Sequence, residues 1–173
     1  MDVPGKTFPN DVRHDYDGNP CSHRKAHNVY GTQMARATYE GVKRFSYPKR
    51  PFIITRSAYS GAQRYTSSWT GDNVASWEHL WIANIQMQRM SMSGMGFTGS
   101  DIGGFAEQPS GELYARWIQL GVFHPFCRTH SSGDHGEQEP WSFGKEVIDI
   151  TRKFVELRYQ LLPYLYTMFW NYV

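Results

Sequence analysis

Segments with helical spacing alternate with strand-like segments along most of the 173-residue chain, and this alternation restricts the fold more than any other feature. After a stretch rich in Pro, Gly, Asp and Asn, the patterns run helix, strand, strand, helix, strand, helix, strand, helix. Strands that alternate with helices usually pair in parallel, because each helix carries the chain back across the sheet. The sequence therefore predicts an α/β fold, and four such strand–helix units amount to half of an eight-stranded (β/α)8 TIM-type barrel.

The boundaries of several elements can be predicted from local signals. Residues 1–26 have the composition of a loop, and helical spacing begins at about His27 and ends at Phe45. The apolar run 52–54 is typical of a strand buried on both faces. Serines that can cap helices stand at Ser76 and Ser110, and we expect Trp77, Leu80, Trp81 and Ile85 to share one face of the first of these helices. A long helical pattern ends the chain, and we expect Pro163 to kink or divide it.

Four polar residues follow the four candidate strands, each at the carboxyl end. They are Arg56, Asp72, Asp101 and His130. Any one of them could be a loop residue that satisfies nearby backbone, but the carboxyl ends of parallel barrel strands converge on one face, where catalytic groups gather. The pattern therefore predicts a pocket, with Trp69 and Phe105 as apolar walls.

These residue types suit hydrogen bonding to hydroxyl groups and proton transfer. A carboxylic acid that is held near an aromatic ring and partly removed from water favours its neutral form, so it can donate a proton at neutral pH. Glycoside hydrolysis needs such an acid and a second carboxylate, which in retaining enzymes lies about 5 Å from the first. The residues at the candidate strand ends therefore predict a site for sugar chemistry.

A series of motifs, taken together and in order, resembles glycoside hydrolase family 31, the family of the α-glucosidases. The motifs are HNVYG, FIITRSAYSGAQRYTSSWTGDN, GSDIGGF, ARWIQLGVFHPFCRTH, EPWSF and LRYQLLPYLYT. They cover nearly the whole chain. The resemblance implies an enzyme that cleaves terminal α-linked glucose from oligosaccharides by a retaining double displacement.

The resemblance also implies a role for each candidate site residue. Asp72 of the WTGD motif resembles the general acid/base of the family, and Arg56 of ITRS resembles the arginine that shapes the sugar subsite on the non-reducing side of the cleaved bond. Trp69 resembles a wall of that subsite. The other three residues resemble pocket-lining groups, with a histidine that contacts sugar hydroxyls: Asp101, Phe105 and His130.

One departure from the family pattern is the nucleophile. The family carries it as an aspartate in a W-x-D-M-N-E-type stretch, and this chain contains no such stretch. In the family that stretch precedes a segment like VPGKTFPNDVRH, so residues 1–173 are expected to be the C-terminal half of the catalytic barrel, strands 5–8 with their helices. Residues 1–26 would follow the nucleophile strand, residues 27–173 would form the strand–helix units, and the fragment alone would be inactive. Its partner would be the N-terminal half of the same barrel, or a second copy.

The sequence is also compatible with other interpretations. The chain could be a non-catalytic fragment or a carbohydrate-binding or assembly half-barrel, because open sheet edges and uncovered apolar surface promote association. Within the family, an α-xylosidase, an α-galactosidase or an α-glucan lyase would share much of the pocket.

Other classes of function have little support. A net charge of +2 with scattered basic residues argues against nucleic acid as a partner, and no apolar run reaches membrane-spanning length. The stretch HDYDGN lacks the glutamate that a calcium loop needs at its twelfth position, where Ala26 stands. We expect no metal and no cofactor, because two carboxylates and a preorganised pocket supply the chemistry.

Overall fold

The computed structural model describes residues 7–172, and the chain divides into two compact units, Met1–Thr66 and Ser67–Val173. The first unit contains β1 (Arg13–His14), β2 (Cys21–Ser22), α1 (His23–Phe45), β3 (Ile54–Thr55) and a 3₁₀ turn (Ala62–Arg64). The second contains β4 (Ser67–Trp69), α2 (Trp77–Met92), β5 (Thr98–Gly99), β6 (Asp101–Ile102), α3 (Gly111–Gly121), β7 (Arg128–Thr129), a 3₁₀ turn (Pro140–Phe143) and α4 (Lys145–Tyr172). Helices and short strands alternate as the sequence predicts.

The first unit begins with a small hairpin that the sequence analysis assigned to loop. β1 and β2 pair antiparallel, with Arg13 opposite Ser22. Helix α1 then starts at His23, four residues earlier than predicted, because the buried His23 ring is held by neighbours on both sides. Its Nδ1 lies 2.9 Å from Nε2 of His14, and its Nε2 lies 3.1 Å from the hydroxyl of Thr7.

Gly31, the last residue of the HNVYG motif, allows α1 to approach the segment that follows β3. A β-carbon at Gly31 would collide with the side chain and the carbonyl group of Ser57. Ser57 in turn accepts a hydrogen bond from the hydroxyl of Thr55. A glycine is therefore needed here to hold the ITRS segment against the helix.

The short strands of the second unit pair in parallel, as expected for an α/β fold. β4 pairs with β5, with Trp69 opposite Gly99, and β6 pairs with β7, with Asp101 opposite Arg128. The segment 98–102 therefore has one neighbouring strand along its first half and another along its second half. Asp101 was predicted at the carboxyl end of a strand. In the structure it lies at the start of β6.

One apolar cluster holds the second unit together. It is formed by residues of α2, β6, α3 and the start of α4: Ala83, Ile102, Leu113, Tyr114, Trp117, Ile118, Val122 and Val147. Trp117 is fully buried, and its indole nitrogen donates a 3.0 Å hydrogen bond to the hydroxyl of Ser100. This bond ties α3 to the strand segment beneath it, and it satisfies the one polar atom of a large core side chain.

Both predicted serine caps are confirmed. The hydroxyl of Ser76 accepts from the backbone N–H of His79, and that of Ser110 accepts from Leu113. These bonds satisfy helix-end donors that would otherwise lack a partner, which is why both helices begin where the sequence indicates.

The structure also bears on three other predictions. Only Ile54 of the apolar run 52–54 belongs to a strand, the two-residue β3, and Phe52 is 59% exposed. Trp77 and Trp81 are exposed, whereas Leu80, predicted for the same face of α2, packs against the core cluster. Pro163 does not divide the last helix, which continues through it to Tyr172, and a kink at this position stays a prediction.

A side chain of helix α4 also caps the C-terminal end of α3. The guanidinium of Arg158 donates hydrogen bonds to the carbonyl groups of Val122, His124 and Pro125, at 2.6, 2.7 and 3.0 Å. A positive charge there also complements the negative end of the α3 dipole. Within residues 7–172, none of the helices is both long and apolar enough to span a membrane.

We expect the stability of the second unit to fall as the pH drops below about 6.5, because His124 must remain neutral in the fold. The ring is buried, neither ring nitrogen has a hydrogen-bond partner among the described residues, and burial together with the nearby Arg158 lowers its pKa to about 4. Since the unfolded chain takes up the proton first, the loss begins near the unfolded pKa and is complete near the folded one. It should reach about 2 kcal/mol by a pH of about 5.

Amide hydrogen exchange of α3 in the purified protein, corrected for intrinsic exchange rates, measures this loss. His124→Gln should remove most of the pH dependence, whereas His135→Gln, at an exposed position, should retain it. An unchanged pH dependence in the His124 variant would contradict the assignment.

Candidate active site

The WTGDN motif forms a sharp turn that presents one carboxylate to solvent. Gly71 has a φ of 86°, a left-handed conformation that glycine adopts without strain. The turn places Asp72 at the surface and Asn73 in the interior, where the side-chain oxygen of Asn73 accepts a hydrogen bond from the hydroxyl of Thr70. The motif is therefore a rigid support for Asp72, although the partial burial expected for this residue is not seen.

Backbone hydrogen bonds join this turn to the two neighbouring loops. The carbonyl of Asn73 accepts from the N–H groups of Phe105 and Ala106, at 2.7 and 3.1 Å. The carbonyl of Phe105 accepts in turn from the N–H of Ser132, at 2.9 Å. Three loops thus lie side by side beyond the ends of the strands, in the order 72–75, 103–106 and 130–132.

The central interaction of the site is an ion pair between β6 and β7. Nη2 of Arg128 lies 2.6 Å from Oδ1 of Asp101, whose side chain is fully buried. Burial raises the pKa of Asp101, and the nearby Asp72 raises it as well, while Arg128 and then His130 oppose the rise. Because removing a lone carboxylate from water is costly, the guanidinium is what allows a carboxylate at this position.

Aromatic rings surround the polar groups of the site. The guanidinium of Arg128 lies over the ring of Trp69, 5.7 Å from its centroid, and over the ring of Phe126, at 5.0 Å. The rings of Phe105 and His130 are 5.3 Å apart, and His130 is exposed. Apolar ring faces beside hydrogen-bonding groups are the arrangement that binds a sugar ring.

Five of the six residues predicted for the site therefore belong to one unit, where contacts or electrostatic effects connect them: Trp69, Asp72, Asp101, Phe105 and His130. The sixth, Arg56, belongs to the first unit, where it lies exposed directly after β3. Asp101 differs from the prediction, since its carboxylate is enclosed and holds Arg128 in place.

The sequence analysis missed Arg128. The signal was present, because side chains two residues apart on a strand point to the same face, and Arg128 stands two residues before His130. The CRTH motif thus contributes two groups to the site.

Two other features of the described residues bear on ligand binding. A cleft of about 310 Å³ lies between the turn 14–17 and α1 in the first unit, and it contains none of the predicted site residues. Among residues 7–172 there is no group of three or more His, Cys, Asp and Glu side chains able to hold a metal ion.

The family assignment follows from comparison with known proteins. The model of the glycosyl hydrolases family 31 TIM-barrel domain matches residues 1–168. The chain belongs to glycoside hydrolase family 31. Its fold is accordingly that of an α/β barrel, and the resemblance on which the sequence analysis relied is confirmed.

Curated relatives and solved structures agree with this assignment. The chain is 48% identical over 164 residues to alpha-glucosidase 2 of Bacillus thermoamyloliquefaciens, covering 95% of this chain and 21% of that protein. It is 45% identical to the glucosidase 2 subunit alpha of Saccharomyces cerevisiae, covering 98% and 18%. A crystal structure of the glucosidase II alpha subunit in its Glc1Man2-bound form superposes with a TM-score of 0.92 at 37% identity, again covering 98% and 18%. The chain thus spans about a fifth of the length of the proteins it resembles.

Removing the guanidinium of Arg128 should destabilise the second unit strongly. The Arg128→Met variant leaves Asp101 buried without its counter-charge, so the pKa of Asp101 should rise further and the carboxyl should bind a proton. We expect a loss of about 3 kcal/mol or more in the free energy of opening, as for other broken buried pairs.

Hydrogen exchange of β6, β7 and α3 measures the effect. Lys145→Met is the matched control, because it breaks a 2.7 Å ion pair with Asp149 on the exposed side of α4, where solvent screening leaves little effect on stability. Equal effects of the two variants would show that the buried pair does not support the site.

Proposed function

We propose that the protein that carries this chain is a retaining, exo-acting α-glucosidase, and that Asp72 is its general acid/base. The observation that carries the proposal is the cluster of Asp72, Arg128 and His130 with Trp69 and Phe105 on the strands and adjacent loops of one unit. The names of the relatives agree with it, since they are α-glucosidases at 45–48% identity.

In the first step the protonated carboxyl of Asp72 donates its proton to the glycosidic oxygen, while the nucleophile attacks the anomeric carbon and the bond to the leaving group breaks. In the second step the Asp72 carboxylate takes a proton from water, whose oxygen displaces the nucleophile and releases glucose with its configuration retained. No aspartate in the W-x-D-M-N-E context occurs among the 173 residues, so the nucleophile comes from outside this chain.

The neighbouring residues bind and orient the sugar. The exposed imidazole of His130 hydrogen bonds to sugar hydroxyls, and Trp69 and Phe105 provide apolar walls. Asp101 acts through Arg128, because its enclosed carboxylate holds the guanidinium over the Trp69 ring. Arg56 is included among the substrate-binding residues because of the resemblance of its ITRS motif to that of the family. Neither a metal nor a cofactor takes part, since the two carboxylates supply both proton transfer and covalent catalysis.

We further propose that residues 1–173 are the C-terminal half of the barrel, with residues 1–26 following the nucleophile strand and residues 27–173 forming strand–helix units. Parallel pairing in the second unit supports this arrangement, as does the size of the relatives. Several large apolar side chains are exposed, Phe52 at 59%, Trp77 at 53% and Trp81 at 66% among them. Apolar surface of this extent suits contact with the N-terminal half of the same barrel.

Replacing Asp72 by asparagine in the complete protein should lower kcat for an unactivated α-glucoside by a factor of about 10² to 10⁴, because the amide can neither donate nor accept the proton. Hydrolysis of maltose beside that of a nitrophenyl α-glucoside measures this, and Glu112→Gln on the exposed face of α3 is the matched control. Azide needs no general base, so it should restore turnover of the nitrophenyl substrate and give glucosyl azide of retained configuration. Wild-type turnover in the Asp72 variant would refute the assignment.

The chain produced alone should form dimers or larger assemblies, because half of a barrel leaves sheet edges unpaired. When it is coexpressed with the remainder of the protein, the two should elute together from a sizing column. A single monomeric species that melts cooperatively would argue against the half-barrel.

A further inference from the structure

The loop that follows His130, residues 131–138, is firmly attached at both ends. At its start, the N–H of Ser132 donates to the carbonyl of Phe105, at 2.9 Å. At its end, Nε2 of Gln138 donates to the carbonyl of Gly104, at 3.0 Å, and Nε2 of Gln108 donates to the carbonyl of Glu137, at 2.8 Å. We call residues 131–138 the rim loop.

The middle of the rim loop projects into solvent. Residues 133–137 are all exposed, in contrast to Gln138, which is 7% exposed. Two glycines with positive φ, Gly133 and Gly136, bracket the tip, which consists of Asp134 and His135. Two polar side chains therefore stand on a tip whose base cannot move freely.

The rim loop and the turn of Asp72 lie next to the same segment, the one that contains Phe105. The hydrogen bonds that Phe105 donates to Asn73 and that Ser132 donates to Phe105 place the turn of Asp72 and the rim loop on either side of the Phe105 segment. In an exo-acting enzyme the terminal sugar enters the pocket, and the rest of the substrate must extend outward past this rim. The leaving-group sugar also has its glycosidic oxygen next to Asp72.

We propose that the rim loop forms the binding site for the leaving-group sugar, and that Asp134 and His135 select which linkage is cleaved. This inference rests on the proposed function. A carboxylate accepts hydrogen bonds from hydroxyls, and an imidazole can both donate and accept, so the pair can read the positions of two hydroxyls. Those positions differ among disaccharides of different linkage, whereas an aryl group offers none.

Gln108 and Gln138 are positioning residues for the rim loop. Their amide N–H groups fix its second half, and the side chain of Gln108 lies so close to Gly136 that a β-carbon there would meet its amide oxygen at 3.1 Å. Loss of the hydrogen bond from Gln108 to Glu137 should therefore misplace the tip without altering the pocket for the terminal sugar.

The test compares kcat/KM of the complete protein for nigerose, maltose and isomaltose with kcat/KM for a nitrophenyl α-glucoside. In the double variant Asp134→Ala, His135→Ala, the ratio of disaccharide to aryl glucoside should fall about tenfold for the preferred linkage, the loss expected for one or two hydrogen bonds to a sugar. Gln108→Glu keeps the shape of the side chain but removes the donor, and the ratio should fall in the same direction. Glu156→Ala, on the exposed face of α4, removes one negative charge elsewhere and should leave the ratio unchanged.

Each result has a distinct meaning. A fall in the ratio with a changed order of preference among the three disaccharides supports the inference. A double variant whose ratio equals that of the wild type, or whose rates on all four substrates fall by one common factor, overturns the inference but leaves the proposed function intact. If the wild-type protein hydrolyses none of the four, the proposed function fails and the inference falls with it.

Discussion

The carboxylate of Asp101 is enclosed in the second unit and depends on one guanidinium, that of Arg128, for its charge to be tolerated. The same pair joins β6 to β7 at the point where these strands begin, because the two residues are opposite each other in the register. It also fixes the guanidinium over the ring of Trp69. One buried interaction therefore connects a strand pair to an aromatic wall of the candidate site.

Two aspartates of the candidate site have opposite environments, and this difference suits the separate roles proposed for them. Asp72 is exposed on a glycine turn, whereas Asp101 is buried and its pKa is raised by that burial. An exposed carboxylate can reach a substrate and exchange protons with it. An enclosed carboxylate cannot reach a substrate, and it can only hold neighbouring side chains in position. The chemistry proposed for Asp72 therefore depends on Asp101, which holds Arg128 in position. The two aspartates were nevertheless predicted from the same kind of sequence signal.

Backbone hydrogen bonds, more than side chains, connect the loops of the site. The carbonyls of Asn73 and Phe105 accept from the next loop in turn, which gives three adjacent loops one common frame. Such a frame allows the exposed tip of the rim loop to differ in sequence while the turn that carries Asp72 stays in place. A fixed frame that carries an exposed tip is physically reasonable for enzymes that share a reaction and differ in substrate.

Local signals in the sequence were enough to predict the alternation of helices and strands, both serine caps, the family and the five candidate residues that the structure brings together in one unit. These depend on spacing and on short-range hydrogen bonds, which neighbouring residues settle among themselves. Burial was decided by the tertiary structure, because it depends on which segments meet. The sequence could not show that Trp77 and Trp81 stay exposed or that Asp101 is enclosed. Arg128 became a site residue only when β6 and β7 paired, since its charge is needed where a distant carboxylate is buried.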